Sequence, residues 1–541
     1  MDEIKASSPE SAAPAGAKPA APKLAAVIDI GATAIRMEIA QIGENGEIRT
    51  LDALRRGVQL GKDTFTRGRI QQSTIQECVD ILKGFRRVLD EYGITQPEQI
   101  RAIATSSVRE AENRDTFLDR IYIATQINVR AIDEAEESRL TYMAAQHVME
   151  SEPDLKEGDV LVVDVGGGST ELVLVQQGRV TFSNSYRLGS LRMRETLETQ
   201  RAPTERVRTI LGQHVQRLVD QIRRNVPAVK LTALVAMSND SRFAASQLFP
   251  SWSDAQAARI DYKTFSAFVD KILPLTVDKI VGKYQMTYQE AEIVGPALLI
   301  YVHLARTFKV EQFIVPKTSL RDGLLKDMTL RGYWTTSFAQ QVLSAAVALG
   351  EKYHVDEKHA RHVADLSLQL FRELKAEHQL SPRHEVLMEV AALLHEVGGF
   401  VSSRSHHKHS MYLILNSDLF GLTQDDMAII ALVARYHRRA LPSPTHEEYT
   451  SLDRDNRIAV SKMAAILRVA DALERNHLQQ VRDLTFTREQ NQFVITVRNV
   501  EDLTMERLAV KEKGTLFEEV YGLPVVLQEE RAQAEAPPDA R

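Results

Sequence analysis

The chain has 541 residues, 44% hydrophobic and 26% charged, which excludes a fibrous or wholly disordered protein and leaves room for about three or four domains. Its 67 Lys and Arg against 73 Asp and Glu give a net charge of −6, which argues against adhesion to nucleic acid or anionic membrane by bulk charge. The single cysteine, Cys78, cannot close an internal disulfide, and no apolar run is read as approaching the ~20 residues of a membrane span. The expectation is a cytoplasmic protein with no integral membrane segment and no specific nucleic-acid partner.

Residues 1–23, rich in Ala, Pro and Ser, lack the apolar core of a signal peptide and are expected to be a disordered leader. From Leu24 an apolar strand runs to Asp29, a glycine turn follows, and a second strand is expected over residues 35–40. Ile75, Val79, Leu82, Val88 and Leu89 have helical spacing, and residues 100–105 return to strand character. The opening nearly repeats at Val160-Leu161-Val162-Val163-Asp164-Val165-Gly166-Gly167-Gly168-Ser169, followed by a strand from Leu172. Two strand-Asp-x-Gly-strand units imply an α/β chain with two similar lobes, 24–147 and 148–330. Helical periodicity with many histidines then spans 331–480. Residues 484–497 alternate like a hairpin within a small β-containing cap, 481–528, and 529–541 resemble a disordered tail.

The segment from Asp164 to Glu171 carries the clearest chemistry. Glycines after an apolar strand let backbone N–H groups approach a phosphate chain without Cβ obstruction. Gly166, Gly167, Gly168, Ser169 and Thr170, with Asp29, Gly31 and Thr33 of the earlier turn, are therefore candidate phosphate-binding residues. Asp164 and Glu171 are candidate ligands of Mg2+, which a polyanionic substrate needs for charge neutralisation.

Paired Asp-x-Gly hairpins resemble the actin, Hsp70 and sugar-kinase superfamily. Four stretches narrow the resemblance: residues 104–113 (ATSSVREAEN), 136–140 (EESRL), 164–172 (DVGGGSTEL) and 319–325 (SLRDGLL). Their order and spacing resemble the exopolyphosphatase/guanosine pentaphosphate phosphohydrolase (Ppx/GppA) family. His395-Glu396-Val397-Gly398, the His406-His407-Lys408-His409 run and Arg435-Tyr436-His437-Arg438 look like its long members with a C-terminal HD-like domain.

The resemblance implies two actin-like lobes with the site between them, then an all-α HD-like domain. It implies Mg2+-assisted hydrolysis of a terminal phosphoanhydride of inorganic polyphosphate or guanosine pentaphosphate, and a possible homodimer. It assigns Glu136, first Glu of its motif, to orient and deprotonate the attacking water, and Arg109 to bind phosphate. It further implies that Arg404, His406, His407, Lys408, Arg435 and Arg438 form a basic channel for polyphosphate. His359, His395, Glu396, His407, His437 and Asp471 follow the order of metal ligands in HD phosphohydrolases, with Glu396 replacing the central Asp, so a channel without metal is expected.

The chain departs from the family in two loops. The opening loop, usually Asp-x-Gly-Ser-Asn-Ser, reads Asp29-Ile30-Gly31-Ala32-Thr33-Ala34. A later one, usually Gly-Ala-Ser-Gly-Thr, reads Ser238-Asn239-Asp240-Ser241-Arg242, where Asp240 would repel phosphate and Arg242 offsets that charge. Three alternatives stay open: a weakened polyphosphate- or guanosine tetraphosphate-binding sensor, an ATP-using kinase of the wider superfamily, and nucleotide hydrolysis at His395.

Overall fold

The computed structural model describes residues 23–43, 46–197, 204–252, 256–330, 334–498, 500 and 502–530. The expected leader and tail lie outside them, except Lys23, which starts the first strand, and Glu529 and Glu530, which end the last.

The first sheet contains β1 (Lys23–Ile30), β2 (Ala34–Ile42), β3 (Ile48–Gly57), β4 (Ile100–Ala104) and β5 (Val129–Ala131) in the order β3-β2-β1-β4-β5. The three strands from β3 to β1 pair antiparallel, and β1, β4 and β5 run parallel. The second contains β6 (Asp159–Val165), β7 (Thr170–Gln176), β8 (Arg179–Tyr186), β9 (Ala233–Ala236), β10 (Ala258–Asp261) and β11 (Gln312–Val315) in the order β10-β11-β9-β6-β7-β8. From β8 to β11 it repeats the first sheet strand for strand with the same senses, and β10 adds an antiparallel edge.

Both faces of the second sheet are covered, which explains its unbroken apolar strands. Val160, Val162 and Val235 pack toward the helical region, with Phe338 and Val342 in the same core. Leu161, Val163 and Leu234 pack against Val294, Leu298 and Tyr301 on the other face. Those three lie on the helix Tyr288–Phe308, which is long and apolar enough by composition to cross a membrane, contrary to the expectation from sequence. Its most apolar stretch is 72% buried as the central helix of the second lobe.

The contiguous boundary at residue 330 needs one correction. The helix Leu320–Thr329 follows the second sheet but covers the first: Leu324 and Leu325 share a core with Ala25, Val27, Ala40, Ile103 and Leu140. A Cβ on Gly323 would collide with the Leu140 carbonyl oxygen, so glycine permits close contact with the helix Glu134–Ser151. Arg139 Nη1 donates to Asp327 Oδ1 at 2.8 Å across the same interface.

Helices from Thr336–Lys352 to Arg454–Leu473 form the C-terminal helical region. A small sheet follows, with β12 (Leu484–Glu489), β13 (Gln492–Arg498) and β14 (Val525–Glu530) in that order. Between β13 and β14 the chain forms the helices Thr504–Lys513 and Thr515–Tyr521.

Candidate functional site

The two Asp-x-Gly turns face each other. Gly31 N–H donates to Ala34 O at 3.0 Å and Gly166 N–H to Ser169 O at 2.9 Å, the same closure in both lobes. A Cβ on Gly167 would lie 2.9 Å from Ala32 Cβ, and one on Gly168 would collide with Ser106 Oγ, so these glycines permit the loops of the two lobes to touch. Ser106 begins the short helix Ser106–Arg109, and this contact ties the second loop to the element that carries Arg109.

Between the turns lies a cleft of about 670 Å³, bordered by Asp29, Gly31, Thr33, Asp164, Gly166 and Gly167, with Arg36, Arg242 and Arg321 beside them. Asp29 Oδ2 lies 3.6 Å from Arg36 Nη1 and 3.9 Å from Arg321 Nη1. Burial, with the Asp29 charge adding to it, pushes Asp164 up to about 6. Glu171, paired with Asp164 across β6 and β7, is pushed up by burial and by Glu137 and Asp164.

The candidate phosphate residues divide. Asp29, Gly31, Thr33, Gly166 and Gly167 line the cleft. Gly168 lies against Ser106, Ser169 Oγ donates to Glu171 Oε1 at 2.7 Å, and the fully buried Thr170 donates its hydroxyl to Leu188 O. Gly168 and the side chains of Ser169 and Thr170 therefore shape the loop rather than face the cavity.

Glu136, the carboxylate assigned from sequence, and its neighbour Glu137 take different partners. Asp133 caps the helix Glu134–Ser151, accepting from Glu136 N–H at 2.8 Å, and thereby sets its phase. In that phase Glu136 turns to β5, where Arg130 Nη2 donates to its Oε2 at 2.5 Å. Glu137, about 100° further round the helix, turns to Arg109, and both carboxylates are buried. Arg109 Nη1 donates to Glu137 Oε2 at 2.8 Å and to Ile132 O at 2.9 Å, while the buried Arg109 Nη2 has no hydrogen-bond partner. Burial pushes Glu137 up to about 7, with Arg109 opposing and Asp164 and Asp29 reinforcing the shift. The acidic run 133–137 conceals this choice in sequence, and only the N-cap position could have revealed it.

The altered loop at Ser238 fits the fold without glycine. Ser238 (φ −72°) caps the helix Asn239–Leu248, and residues 238–242 include no positive φ. Asp240 borders the cleft and burial pushes it up to about 6. Arg242 Nη1 donates to Met237 O and Thr318 O, both at 2.7 Å, which holds its charge near Asp164. Phe243, Phe249, Trp252 and Met286 also line the cleft.

The expected basic channel does not border this cleft. Neither the cleft nor a second cavity of about 500 Å³ beside Arg109 is lined by Arg404, His406, His407, Lys408, Arg435 or Arg438. Arg435 pairs with Glu448 at 3.2 Å, His407 is buried, and His406 stacks on His437. The helical region instead contributes Leu415 and Phe420 to the cavity that Arg109 lines.

A family model described as the Ppx/GppA phosphatase family matches residues 38–332, more than half of the chain. The chain belongs to the Ppx/GppA phosphatase family. A second model, Ppx/GppA phosphatase domain III, matches residues 343–512, and membership makes the protein a hydrolase. A guanosine-5'-triphosphate,3'-diphosphate pyrophosphatase of Photobacterium profundum is 23% identical over 94% of this chain and 98% of its own. One of Aliivibrio fischeri is 23% identical over 82% of this chain and 87% of its own. The crystal structure of an exopolyphosphatase from Cytophaga hutchinsonii shares the fold, with a TM-score of 0.51 and 24% identity over 58% of this chain and 99% of that one.

Proposed function

We propose that the inter-lobe cleft hydrolyses the terminal phosphoanhydride of guanosine pentaphosphate or of inorganic polyphosphate. The observation that carries this reading is the pairing of Glu137 with Arg109, opposite Asp29, Asp164 and Glu171, at the junction of two Asp-x-Gly turns. Glu137, pushed up to about 7, accepts the proton of a water as its oxygen attacks the terminal phosphorus. The bridging P–O bond breaks, releasing inorganic phosphate and a substrate shortened by one phosphoryl group. Arg109, whose Nη2 makes no hydrogen bond and lies 3.9 Å from Glu134 Oε1, holds the transferring phosphoryl oxygens.

Oxygen donors suit Mg2+, which would neutralise phosphate charge beside Asp164 and Glu171. Among the described residues no three cleft carboxylates converge within 4.8 Å, which matches an ion held by one or two carboxylates together with substrate oxygens. The apolar and aromatic lining by Phe243, Phe249, Trp252 and Met286 suits a nucleobase and favours guanosine pentaphosphate over a bare phosphate chain.

The test is phosphate release from both substrates with Mg2+. Glu137→Gln is expected to lower kcat by about 10²–10⁴-fold while Glu136→Gln stays within tenfold. The reverse ranking would return the role to Glu136. Tight binding without release by the wild type would favour a sensor.

A further inference from the structure

In the helical region a second group of side chains converges, about which the phosphatase chemistry is silent. His359, on the helix Glu357–Glu373, and His395, just after the helix Pro382–Leu394, meet Asp471 near the end of the helix Arg454–Leu473. One donor atom from each lies within 4.8 Å of the other two. His395 Nε2 is 3.9 Å from Asp471 Oδ1, and His359 Nε2 is 3.9 Å from Glu396 Oε2.

The hydrogen bonds fix how these groups are presented. His395 Nδ1 lies 2.6 Å from Ala392 O, and because a carbonyl only accepts, Nδ1 carries the proton and Nε2 offers its lone pair inward. His395 is fully buried and its Nε2 has no partner. His359 is 1% exposed, and neither of its ring nitrogens has a partner. Three buried imidazole nitrogens left unsatisfied carry a desolvation cost that an ion would relieve. Lys513 contacts Asp471 Oδ2, which leaves Oδ1 turned to His395.

We infer that His359, His395 and Asp471 bind one divalent transition-metal ion of the Zn2+ or Co2+ kind. Two imidazoles and a carboxylate select such ions over Mg2+, which prefers oxygen donors. Metal–ligand bonds of about 2.0–2.2 Å place tetrahedral donors about 3.3–3.6 Å apart, so small side-chain rotations close the site. Glu396, whose side chain is 31% exposed, stands at the open side within reach of a fourth position. The competing account is that Lys513 alone neutralises Asp471 and the imidazoles merely pack.

The full-length protein is stripped with chelator, incubated with Zn2+ or Co2+, passed through gel filtration and analysed for metal. About one equivalent is expected in the wild type and in Glu137→Gln, with Co2+ giving visible ligand-field bands. At least a tenfold loss of bound metal is expected in His395→Ala and in Asp471→Asn, with far-UV circular dichroism unchanged. Zn2+ is expected to raise the melting temperature of the wild type but not of Asp471→Asn, which keeps the test valid if His395→Ala fails to fold. Retention of metal by both variants at the wild-type level, or no retained metal in the wild type, overturns the site. Because Glu137→Gln keeps its metal, the outcome is independent of the phosphatase reading.

Discussion

Carboxylates gather between the lobes and imidazoles gather in the helical region, and burial moves the two sets in opposite directions. It pushes Glu137 up to about 7 and Asp164 up to about 6, and it pulls His359 down to about 4. In each case the neutral form is favoured, as expected where water is excluded. The two regions differ in what restores the balance. The cleft already contains Arg36, Arg242 and Arg321, with Arg109 lining the second cavity, and needs a polyanion to complete it. The histidine cluster is rich in lone pairs, and of its three donors only Asp471 has a cationic partner, Lys513.

This contrast can be broken at Arg109. Arg109→Met is expected to lower kcat for phosphate release by about 10²–10³-fold and to leave metal retention in the helical region unchanged. A variant that loses both would show that the regions act as one unit. Gly323→Ala comes next, because its methyl group must displace the Leu140 carbonyl and with it the helix bearing Glu137. A loss of about 1–3 kcal/mol in denaturant unfolding is expected, and an unchanged midpoint would place that helix contact elsewhere.

The smallest effect is in pH. With Glu137 up at about 7, kcat/KM is expected to fall about tenfold per unit below that value, and the inflection to vanish in Glu137→Gln. The sign for stability is opposite. The folded protein keeps a proton on Glu137 that the unfolded chain releases near its ordinary value of 4.5, so the ligand-free protein loses stability as pH rises from there to about 7. Glu137→Gln should flatten that decline in a series of thermal melts, and an unaltered slope would assign it to Glu171, Asp164 and Asp240.

The repeat of strand, Asp, glycine turn and strand was legible because it is local: Asp29 and Asp164 end equivalent strands in both sheets. The choice between Glu136 and Glu137 was not, because neighbouring residues on a helix differ only in phase, which Asp133 sets through a single cap. The missing glycines near Ser238 misled for a related reason, since the backbone there enters a helix directly at φ −72°. Arg36 and Arg321 went unnoticed because they are remote in sequence and meet only at Asp29. The edge strand β3 exposes Arg49, Arg55 and Arg56, and its polarity hid it.

The placement of the helix Leu320–Thr329 over the first sheet has a consequence for synthesis. Ala25, Val27 and Ile103 wait for Leu324 and Leu325 to cover them. Almost two hundred residues separate Ile132, in that same core, from Leu325. At 5–20 residues per second the ribosome takes roughly 10–40 s to supply the missing cover. For that interval the nascent chain displays a finished sheet with one apolar side bare, a surface that a chaperone would be expected to hold until the second lobe has been made.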